Sequence, residues 1–487
     1  MGDRNVEADD RPPRAPQKRD AAGSAGTAVD ALPQPMLFPL LLGRRRAGGG
    51  HADDPGLLGA RNGGRLGLNR RPSGECRQNT IGRIAMVSRR LFLQSSAASA
   101  AYLASGAWPA WAANAPGVTD TEIKIGQTMP YSGPAAAYGL VGRTEAAYFK
   151  MINEMGGVNG RKLNLISVDD GYSPPKTVEQ TRRLVEQEQV AFIYGSIGTP
   201  TNAAIRSYLN DNKVPQLLIT TGATMFGDPQ HYPWTMGNIP SFQTEARIYA
   251  KHMLAAKPDA KIGVLYQNDD FGKDFLIGLR DGLGAEHANM IVKEVSYEVS
   301  DPTIDSQVLT LQGAGVDTLL IAASPKAAAQ AIRKTYDLSW ATDRYLNNTS
   351  SSTAILKSAG LEKAKGLITA VATKDPNDLR WKNDAGFKEY SAFIAKYMTP
   401  AELGEFNAVY GFGAAATLVQ VLKQCGDDLS RENIMRQAAN IKDLELPMLL
   451  PGIKVNTSPD NFFPIRQMQL ATFNGVSWDL IGDLISG

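Results

Sequence analysis

Cysteine and histidine are scarce in this sequence. Its 487 residues include only two cysteines, Cys76 and Cys425, and only four histidines. Two cysteines exclude a disulfide framework and any zinc site built from four thiolates. The histidines are dispersed and show no H-E-x-x-H or similar metal-binding spacing. We therefore expect neither a metal site nor a fold held together by disulfides.

Long apolar runs and catalytic motifs are also absent. No stretch of about 18 apolar residues occurs without charges or helix breakers, which excludes a bundle of transmembrane helices. The sequence has no G-x-S-x-G nucleophile elbow and no P-loop lysine motif. Residues 411–416 (GFGAAA) hold part of a dinucleotide fingerprint, but they lie in a predicted helix rather than at a strand–helix turn. These absences argue against an enzyme and predict no cofactor, with a nicotinamide-dependent enzyme as the alternative from that class.

The first 85 residues differ in composition from the rest. They contain 14 Gly, 13 Arg and a single lysine, Lys18, without a sustained helix or strand period. Such a segment cannot bury enough apolar surface to offset the entropy of ordering, so residues 1–85 are predicted to be disordered. A basic arm that binds nucleic acid is the alternative, but the arginines are scattered and lack interleaved aromatic residues.

An export signal is predicted at residues 86–112. The segment opens with MVSRRLFLQ, continues with a mildly apolar stretch, and ends in the small-residue cleavage pattern Ala-Trp-Ala at residues 110–112. Its string SRRLFL resembles the twin-arginine export signal of bacteria. We therefore predict that translation starts at Met86, that residues 1–85 are an over-extended reading frame, and that the protein is exported to the periplasm.

Cleavage after Ala112 would leave 375 residues with an acidic balance. These residues hold 35 basic and 40 acidic side chains, a net charge of −5. A protein that binds nucleic acid must neutralise phosphates with basic side chains, so nucleic acid is not an expected partner. Cys425 is left alone in a predicted helix, and we interpret it as a small buried hydrophobe rather than a reactive thiol.

From residue 121 onward, short β-branched runs alternate with amphipathic segments. The predicted strands are residues 123–128, 163–168, 190–194, 216–220, 261–266, 290–297, 318–323, 453–456, 464–472 and 476–482. The predicted helices are residues 143–154, 176–188, 271–284, 305–314 and 325–336. Successive βα units of this kind predict an α/β fold with two Rossmann-like lobes, each a parallel sheet with flanking helices. Ligands of such sheets bind beyond the carboxyl ends of the strands.

Small polar residues follow two neighbouring strands of the first lobe. After the strand at residues 190–194, Thr199 is predicted as the N-cap of a helix and Pro200 as its first residue. The free N–H groups of that first turn and the Thr199 hydroxyl predict a site for an anion such as a carboxylate, unless Thr199 only caps its helix. The next strand ends in residues 221–224 (TGAT), which would face the same crevice.

An aromatic residue begins a predicted helix of the second lobe. The segment YQNDDFG places Phe271 at the start of this helix, facing the predicted cleft. The sequence leaves open whether Phe271 stacks on a ligand or packs as an ordinary hydrophobic staple.

Spaced motifs along the chain resemble those of a known transport family. They are IKIG at residues 123–126, SGP at 132–134, YG at 138–139, NEMGGVNGR at 153–161, and then Asp169-Asp170, Pro174, Lys176, Gly195 and Val214-Pro215. The similarity covers residues 118–487 and is to the branched-chain amino-acid-type, or type I, periplasmic solute-binding proteins of ABC importers. This resemblance implies two α/β lobes that are joined by three crossovers and close on a ligand by hinge motion. It places lobe 1 at residues 118–241 plus 373–450, and lobe 2 at residues 242–372 plus 451–487.

The resemblance also implies a ligand site and partners. Its ligand-binding positions fall on Tyr138, Thr199, Gly222, Ala223 and Thr224 in lobe 1, and on Phe271, Ser324 and Thr349 in lobe 2. Thr199 and Thr224 would bind a carboxylate. The implied partners are the small-molecule ligand and the permease subunits of an ABC importer in the inner membrane, and the implied state is a monomer.

Departures from the family pattern change the expected ligand. Amino-acid binders of the family hold the α-ammonium with an acidic side chain in the segment that here reads NNTSS (residues 347–351). A buried ammonium without a counter-charge costs roughly several kcal/mol. Phe271 and Ser324 stand where tyrosines are common, and Tyr172 and Gly198 stand where some members have a disulfide.

From these departures we expect a small aromatic or aliphatic acid without an α-amino group as the ligand. Tyr138 and Phe271 would sandwich its apolar body. A binder of branched-chain amino acids or amides, or a ligand sensor with the same fold, is the alternative.

Overall fold

The computed structural model describes residues 114–486, in which two sheets carry the fold. The first sheet has the order β2-β1-β3-β4-β5, and all of its strands run parallel. Its strands are β1 (Glu122–Met129), β2 (Lys162–Asp169), β3 (Phe192–Tyr194), β4 (Gln216–Ile219) and β5 (Thr235–Gly237). The second sheet has the order β12-β11-β10-β9-β8-β6-β7. Its strands are β6 (Ile262–Gln267), β7 (Ile291–Tyr297), β8 (Thr318–Ala322), β9 (Asp343–Leu346), β10 (Ile368–Val371), β11 (Gln467–Phe473) and β12 (Trp478–Ser486).

Helices flank both sheets. In chain order they are α1 (Gly139–Glu154), α2 (Pro174–Arg182), α3 (Thr199–Asp211), α4 (Phe242–Ala256), α5 (Asp270–Leu283), α6 (Asp305–Gly313), α7 (Pro325–Asp337), α8 (Thr353–Ala359), α9 (Leu361–Ala364), α10 (Ala385–Tyr397), α11 (Phe406–Cys425) and α12 (Arg431–Ala438). Helices α1 to α3 and α10 to α12 belong to the first lobe, and α4 to α9 belong to the second. The α/β fold class with two lobes is therefore confirmed.

The partial dinucleotide fingerprint lies in the interior of α11. Most of this 20-residue helix is buried, and it packs against α1. A β-carbon on Gly411 would lie 2.6 Å from the carbonyl oxygen of Val141, so the glycine allows the two helices to approach closely. Gly411 is thus explained by helix packing, and its segment does not lie at a strand–helix turn.

The carboxyl-terminal tail differs in part from the sequence prediction. β11 and β12 extend the second sheet as antiparallel strands, close to the strands predicted at residues 464–472 and 476–482. The strand predicted at residues 453–456 is wrong, because this segment forms only an isolated bridge between Val455 and Leu444. Asn474-Gly475 between β11 and β12 is a common hairpin signal, and it explains why the last two strands are antiparallel.

The chain passes three times between the lobes. The first crossing joins β5 to α4, the second joins β10 to α10, and the third leads to β11. The sequence prediction places the third crossing at residue 450, and this boundary stays a proposal. Hydrogen bonds of Thr457 favour a later position, closer to β11. Thr457 donates a backbone hydrogen bond to Ile441 and its hydroxyl donates to the Ala438 carbonyl, so this part of the tail packs on the end of α12.

Two sequence predictions lie outside the described residues, namely the disordered segment 1–85 and the export signal 86–112.

None of the helices between residues 114 and 486 combines the length and the apolar character needed to cross a membrane. Over the same range, no cluster of three or more His, Cys, Asp or Glu side chains has a geometry suited to a metal ion. Cys425 is buried and free, and its burial raises the pKa of the thiol to about 12, as expected for a packed, unreactive side chain.

Candidate functional site

A cavity lies where the carboxyl ends of strands from both sheets meet. It has a volume of about 40 Å³, and we call it the ligand cavity. Loops after β3 and β4 form one side, and loops after β6, β8 and β9 form the other. The residues that line it are Tyr138, Val141, Tyr172, Ile197, Gly198, Thr199, Thr220, Thr221, Ile239, Phe242, Phe271, Ser324, Thr349, Asn407 and Tyr410. Apolar and hydroxyl groups dominate this surface, and none of these side chains is charged.

A strained loop brings the backbone of α3 to the cavity. Gly198 has a φ of 106°, and a β-carbon there would lie 2.5 Å from Cε2 of Tyr172. Only glycine accepts both this conformation and this contact without strain. Tyr172 also has a positive φ, 61°. The ring of Tyr172 thus packs on Gly198 at the two positions where some family members have a disulfide.

Thr199 occupies a different helical position from the predicted one. The helix begins at Thr199 with Gly198 as its N-cap, and no side chain caps it. The hydroxyl of Thr199 instead lies 2.7 Å from the hydroxyl of Thr221, which follows β4. One hydroxyl of this pair donates to the other, and the second proton remains available for another acceptor. Thr199 therefore lines the cavity without capping its helix.

The three predicted site residues after β4, Gly222, Ala223 and Thr224, face away from the ligand cavity. The Thr224 hydroxyl donates to Oδ1 of Asp274 at 2.7 Å, and the Thr224 backbone N–H donates to Oδ2 at 2.8 Å. The carbonyl of Gly222 accepts from Phe242, and a β-carbon on Gly222 would overlap the Pro240 carbonyl oxygen. Gly222, Ala223 and Thr224 thus pack against the first crossing and α5. Thr220 and Thr221 line the cavity in their place.

Phe271 is both a cavity wall and part of an aromatic cluster. Its ring lies 5.0 Å from Phe242 and 5.6 Å from Phe275, edge to face in both cases. Asp269 caps α5 by accepting from the backbone N–H groups of Phe271 and Gly272. The cap and the cluster hold the Phe271 ring in place at the cavity wall. Phe271 therefore packs against other aromatic side chains, and its stacking on a ligand stays a prediction.

Hydrogen bonds hold the second-lobe hydroxyls in place. Ser324 contacts the Tyr297 hydroxyl through its backbone N–H at 2.8 Å and through its Oγ at 3.0 Å. The Tyr297 hydroxyl in turn donates to Gln267. Thr349 accepts from Nδ2 of Asn347 at 2.7 Å, which leaves its own hydroxyl proton unused by that bond.

A buried acid lies behind the cavity wall. Glu245 on α4 accepts from the Tyr249 hydroxyl at 2.6 Å and from the Asn348 backbone N–H at 2.7 Å. It is not among the residues that line the cavity. Burial raises the pKa of its carboxyl to about 8, so most of it is uncharged at neutral pH. Glu245 therefore fixes the loop that follows β9 and does not supply a negative charge to the cavity.

Two hydrogen bonds join the lobes beside the cavity. The Tyr410 hydroxyl on α11 donates to the side-chain oxygen of Asn348, and the Tyr138 hydroxyl lies 3.4 Å from Oγ of Ser350. Burial raises the pKa of the Tyr138 hydroxyl, so it stays protonated as a donor. These bonds hold the lobes together around the cavity.

The structure brings together five of the eight predicted site residues: Tyr138, Thr199, Phe271, Ser324 and Thr349. Several further lining residues were not predicted, namely Val141, Tyr172, Ile197, Thr220, Ile239, Phe242, Asn407 and Tyr410. Thr221 was expected to face the crevice, and it lines the cavity. Phe242 carried a usable signal, because an aromatic residue at a helix start also identified Phe271. Tyr410 and Asn407 carried none, because they lie in a long helix far along the chain from the loops they contact.

Comparison of the sequence with known proteins identifies one family. A sequence model of the periplasmic binding protein family matches residues 122–477. The chain is 25% identical to Leu/Ile/Val-binding protein homolog 1 of Brucella abortus over 353 residues, which are 70% of this chain and 86% of that protein.

Solved structures share the fold. A branched-chain amino acid ABC transporter protein from Thermus thermophilus with bound valine has a TM-score of 0.69 at 15% identity, covering 76% of this chain and 98% of that one. A fatty acid ABC transporter substrate-binding protein from Thermomonospora curvata has a TM-score of 0.63 at 21% identity, covering 78% and 96%. These relatives are binding proteins of transporters and not enzymes, which confirms the non-enzymatic prediction.

Proposed function

Because this chain belongs to the periplasmic binding protein family of ABC transporters, we propose that it captures a small carboxylic acid without an α-amino group. The acid binds in the ligand cavity, the lobes close on it, and the complex delivers it to the permease subunits of an importer. The observation that carries the ligand class is that the cavity has paired hydroxyls at a helix N-terminus on one wall and no charged side chain.

The acid group fits the wall formed by α3. The first backbone N–H groups of a helix lack intrahelical partners and carry partial positive charge, which favours an anion. The Thr199–Thr221 pair adds a hydroxyl proton at the same place. A carboxylate there receives donors from the backbone and side chain together, and the rings of Tyr138 and Phe271 are left to contact the apolar body.

The second lobe offers an ammonium group little compensation. Its cavity side chains are Phe242, Phe271, Ser324 and Thr349, and the Ser324 hydroxyl is already bonded to Tyr297. The buried Glu245 lies behind Asn348, with its pKa raised to about 8. An α-ammonium in this cavity would lack a carboxylate partner, and that lack disfavours an ordinary amino acid.

The second candidate is a branched-chain amino acid or amide, and the names of the relatives favour it. One relative is named a Leu/Ile/Val-binding protein, and one neighbour was solved with valine. Another neighbour is named for fatty acids, which have no amino group. The uncharged cavity wall supports a ligand without an amino group.

We also propose that the protein acts as a monomer in the periplasm and is exported by the twin-arginine route through residues 86–112.

Matched pairs of ligands test the proposal. Leucine and 4-methylpentanoate differ only by the amino group, as do phenylalanine and 3-phenylpropanoate. We expect the amine-free member of at least one pair to bind about 100-fold more tightly, because the ammonium loses solvation without gaining a counter-charge. Titration calorimetry measures both dissociation constants directly. Micromolar binding of leucine without binding of either amine-free acid would reverse the order of the two candidates.

A further inference from the structure

A second cavity lies behind the ligand cavity, among the three crossings between the lobes. It has a volume of about 30 Å³, and we call it the hinge chamber. The first crossing contributes residues 238–240, the second contributes residues 372–373, and the third contributes Val455 and Ile465. Helix α11 closes it with Tyr410, Gly413 and neighbouring residues. Most of this lining is apolar.

The two cavities share a wall of two side chains. Ile239 and Tyr410 line both the ligand cavity and the hinge chamber. The hydroxyl of Tyr410 is held by Asn348, so its ring is fixed by one hydrogen bond at its tip. Rotation of this ring would join the two cavities and break that hydrogen bond. Burial of about two methylene groups of a ligand would offset the lost hydrogen bond.

The ligand cavity also adjoins an outer cleft whose lining mixes apolar and charged groups. Tyr172 lines both the ligand cavity and this outer cleft between the lobes. The outer cleft is lined by charged groups, including Asp269, Glu298 and Lys326. An alkyl chain too long for the ligand cavity would meet charged side chains if it extended past Tyr172 into the outer cleft. It would meet apolar side chains if it extended past Tyr410 into the hinge chamber.

We propose that the hinge chamber is a second, apolar subsite that receives the far end of an elongated aliphatic carboxylic acid, whose acid group lies at the Thr199–Thr221 pair. This inference rests on the proposed function, because it assumes an amine-free acid in the ligand cavity. Since all three crossings form the chamber, the far end of the chain contacts the segments that must bend when the lobes close. Chain length controls affinity through the apolar surface that the chain buries in the chamber.

Two variants change the chamber in opposite directions. A β-carbon on Gly413 would meet only Leu446 Cδ1, at 3.7 Å, so Gly413→Leu fills the chamber from a position that has room for a side chain. Leu446→Ala enlarges the chamber from the facing wall. Gln420→Leu is the matched control, because it adds an apolar side chain to the same helix at a partly exposed position outside both linings.

The test is the dissociation constant of unbranched monocarboxylates from four to twelve carbons, measured on the wild-type protein and the three variants. In the wild type, the dissociation constant should fall about fourfold for each methylene that enters the chamber. Gly413→Leu should weaken binding of the long acids at least about tenfold and leave the short acids within about twofold. Leu446→Ala should shift the tightest binding to longer chains, and Gln420→Leu should change nothing.

Separate outcomes overturn the two proposals. If short acids bind but added length brings no affinity, or if Gly413→Leu weakens short and long acids equally, the chamber is not a subsite and the proposed function stands. If no unbranched monocarboxylate of any length binds, the subsite fails; if 4-methylpentanoate and 3-phenylpropanoate do not bind either, the proposed function fails with it.

Discussion

Replacing both hydroxyls of the threonine pair, as Thr199→Val with Thr221→Val, is expected to weaken binding of the preferred acid about 100-fold. Valine keeps the shape of threonine and removes the donor. A hydrogen bond to a charged group contributes about 1.5–3 kcal/mol, which corresponds to at least tenfold in affinity for each bond lost. The two hydroxyls lie 2.7 Å apart and share one hydrogen bond, so their single substitutions are not expected to add. Calorimetric titration of the two single variants and the double variant measures this coupling.

Thr224→Val is the control for this experiment. The hydroxyl of Thr224 donates to the buried carboxylate of Asp274 and accepts from Gln243, away from the ligand cavity. Its loss should lower the free energy of unfolding by about 1–3 kcal/mol and leave the acid's dissociation constant nearly unchanged. A loss of binding in Thr224→Val as large as in Thr221→Val would contradict the assignment of the acid site to the α3 side.

The stability of the protein is expected to fall as the pH rises from 6.5 to 8. Glu145 on α1 is buried and accepts from Nε2 of Gln127, and burial raises the pKa of its carboxyl to about 8. In the unfolded chain this glutamate is already ionised at pH 6.5, whereas the folded protein keeps its proton until about pH 8. The folded state therefore binds more protons in this range, and its stability is full at low pH and declines towards pH 8.

Glu245 contributes in the same direction, since its pKa is also raised to about 8. Each group should cost on the order of 2 kcal/mol between pH 6.5 and pH 8. The pKa of His252 is lowered by burial, so its opposing effect is confined to lower pH. Glu145→Gln should remove about half of the decline, as measured by denaturant unfolding at the two pH values. A stability that is flat or rises over this range would show that neither carboxyl keeps its proton in the folded state.

The sequence predicted the fold well because the information it needed was local. Alternating β-branched and amphipathic runs placed β1 to β4 and β6 to β8 within a few residues of their observed bounds, whereas the short strands β5, β9 and β10 were not predicted. Both strands of the tail were predicted, and Asn474-Gly475 between them signals the hairpin that joins β11 to β12. The segment at residues 453–456 has strand-like composition, but its only ladder partner is Leu444, so it forms a bridge and no strand.

The site was predicted less completely because its geometry depends on distant parts of the chain. Thr221 and Thr224 are both threonines in one short loop, and local sequence does not distinguish them. Asp274, fifty residues further on, binds Thr224 and so leaves Thr221 for the cavity. Thr199 was assigned to the correct helix start, but the positive φ of Gly198 moved it one position into the helix. Tyr410 reaches the cavity only because α11 returns to the first lobe after the second crossing.

We propose that the ligand cavity holds an amine-free acid with its carboxylate on the α3 wall. A crystal structure of the protein with 4-methylpentanoate or 3-phenylpropanoate would show where the acid group lies. We expect carboxylate oxygens within about 2.7–3.2 Å of the Thr199 or Thr221 hydroxyl and the first-turn N–H groups of α3, with the apolar body between Tyr138 and Phe271. A carboxylate bound instead against Ser324 and Thr349, or an acid bound outside this cavity, would contradict the proposal.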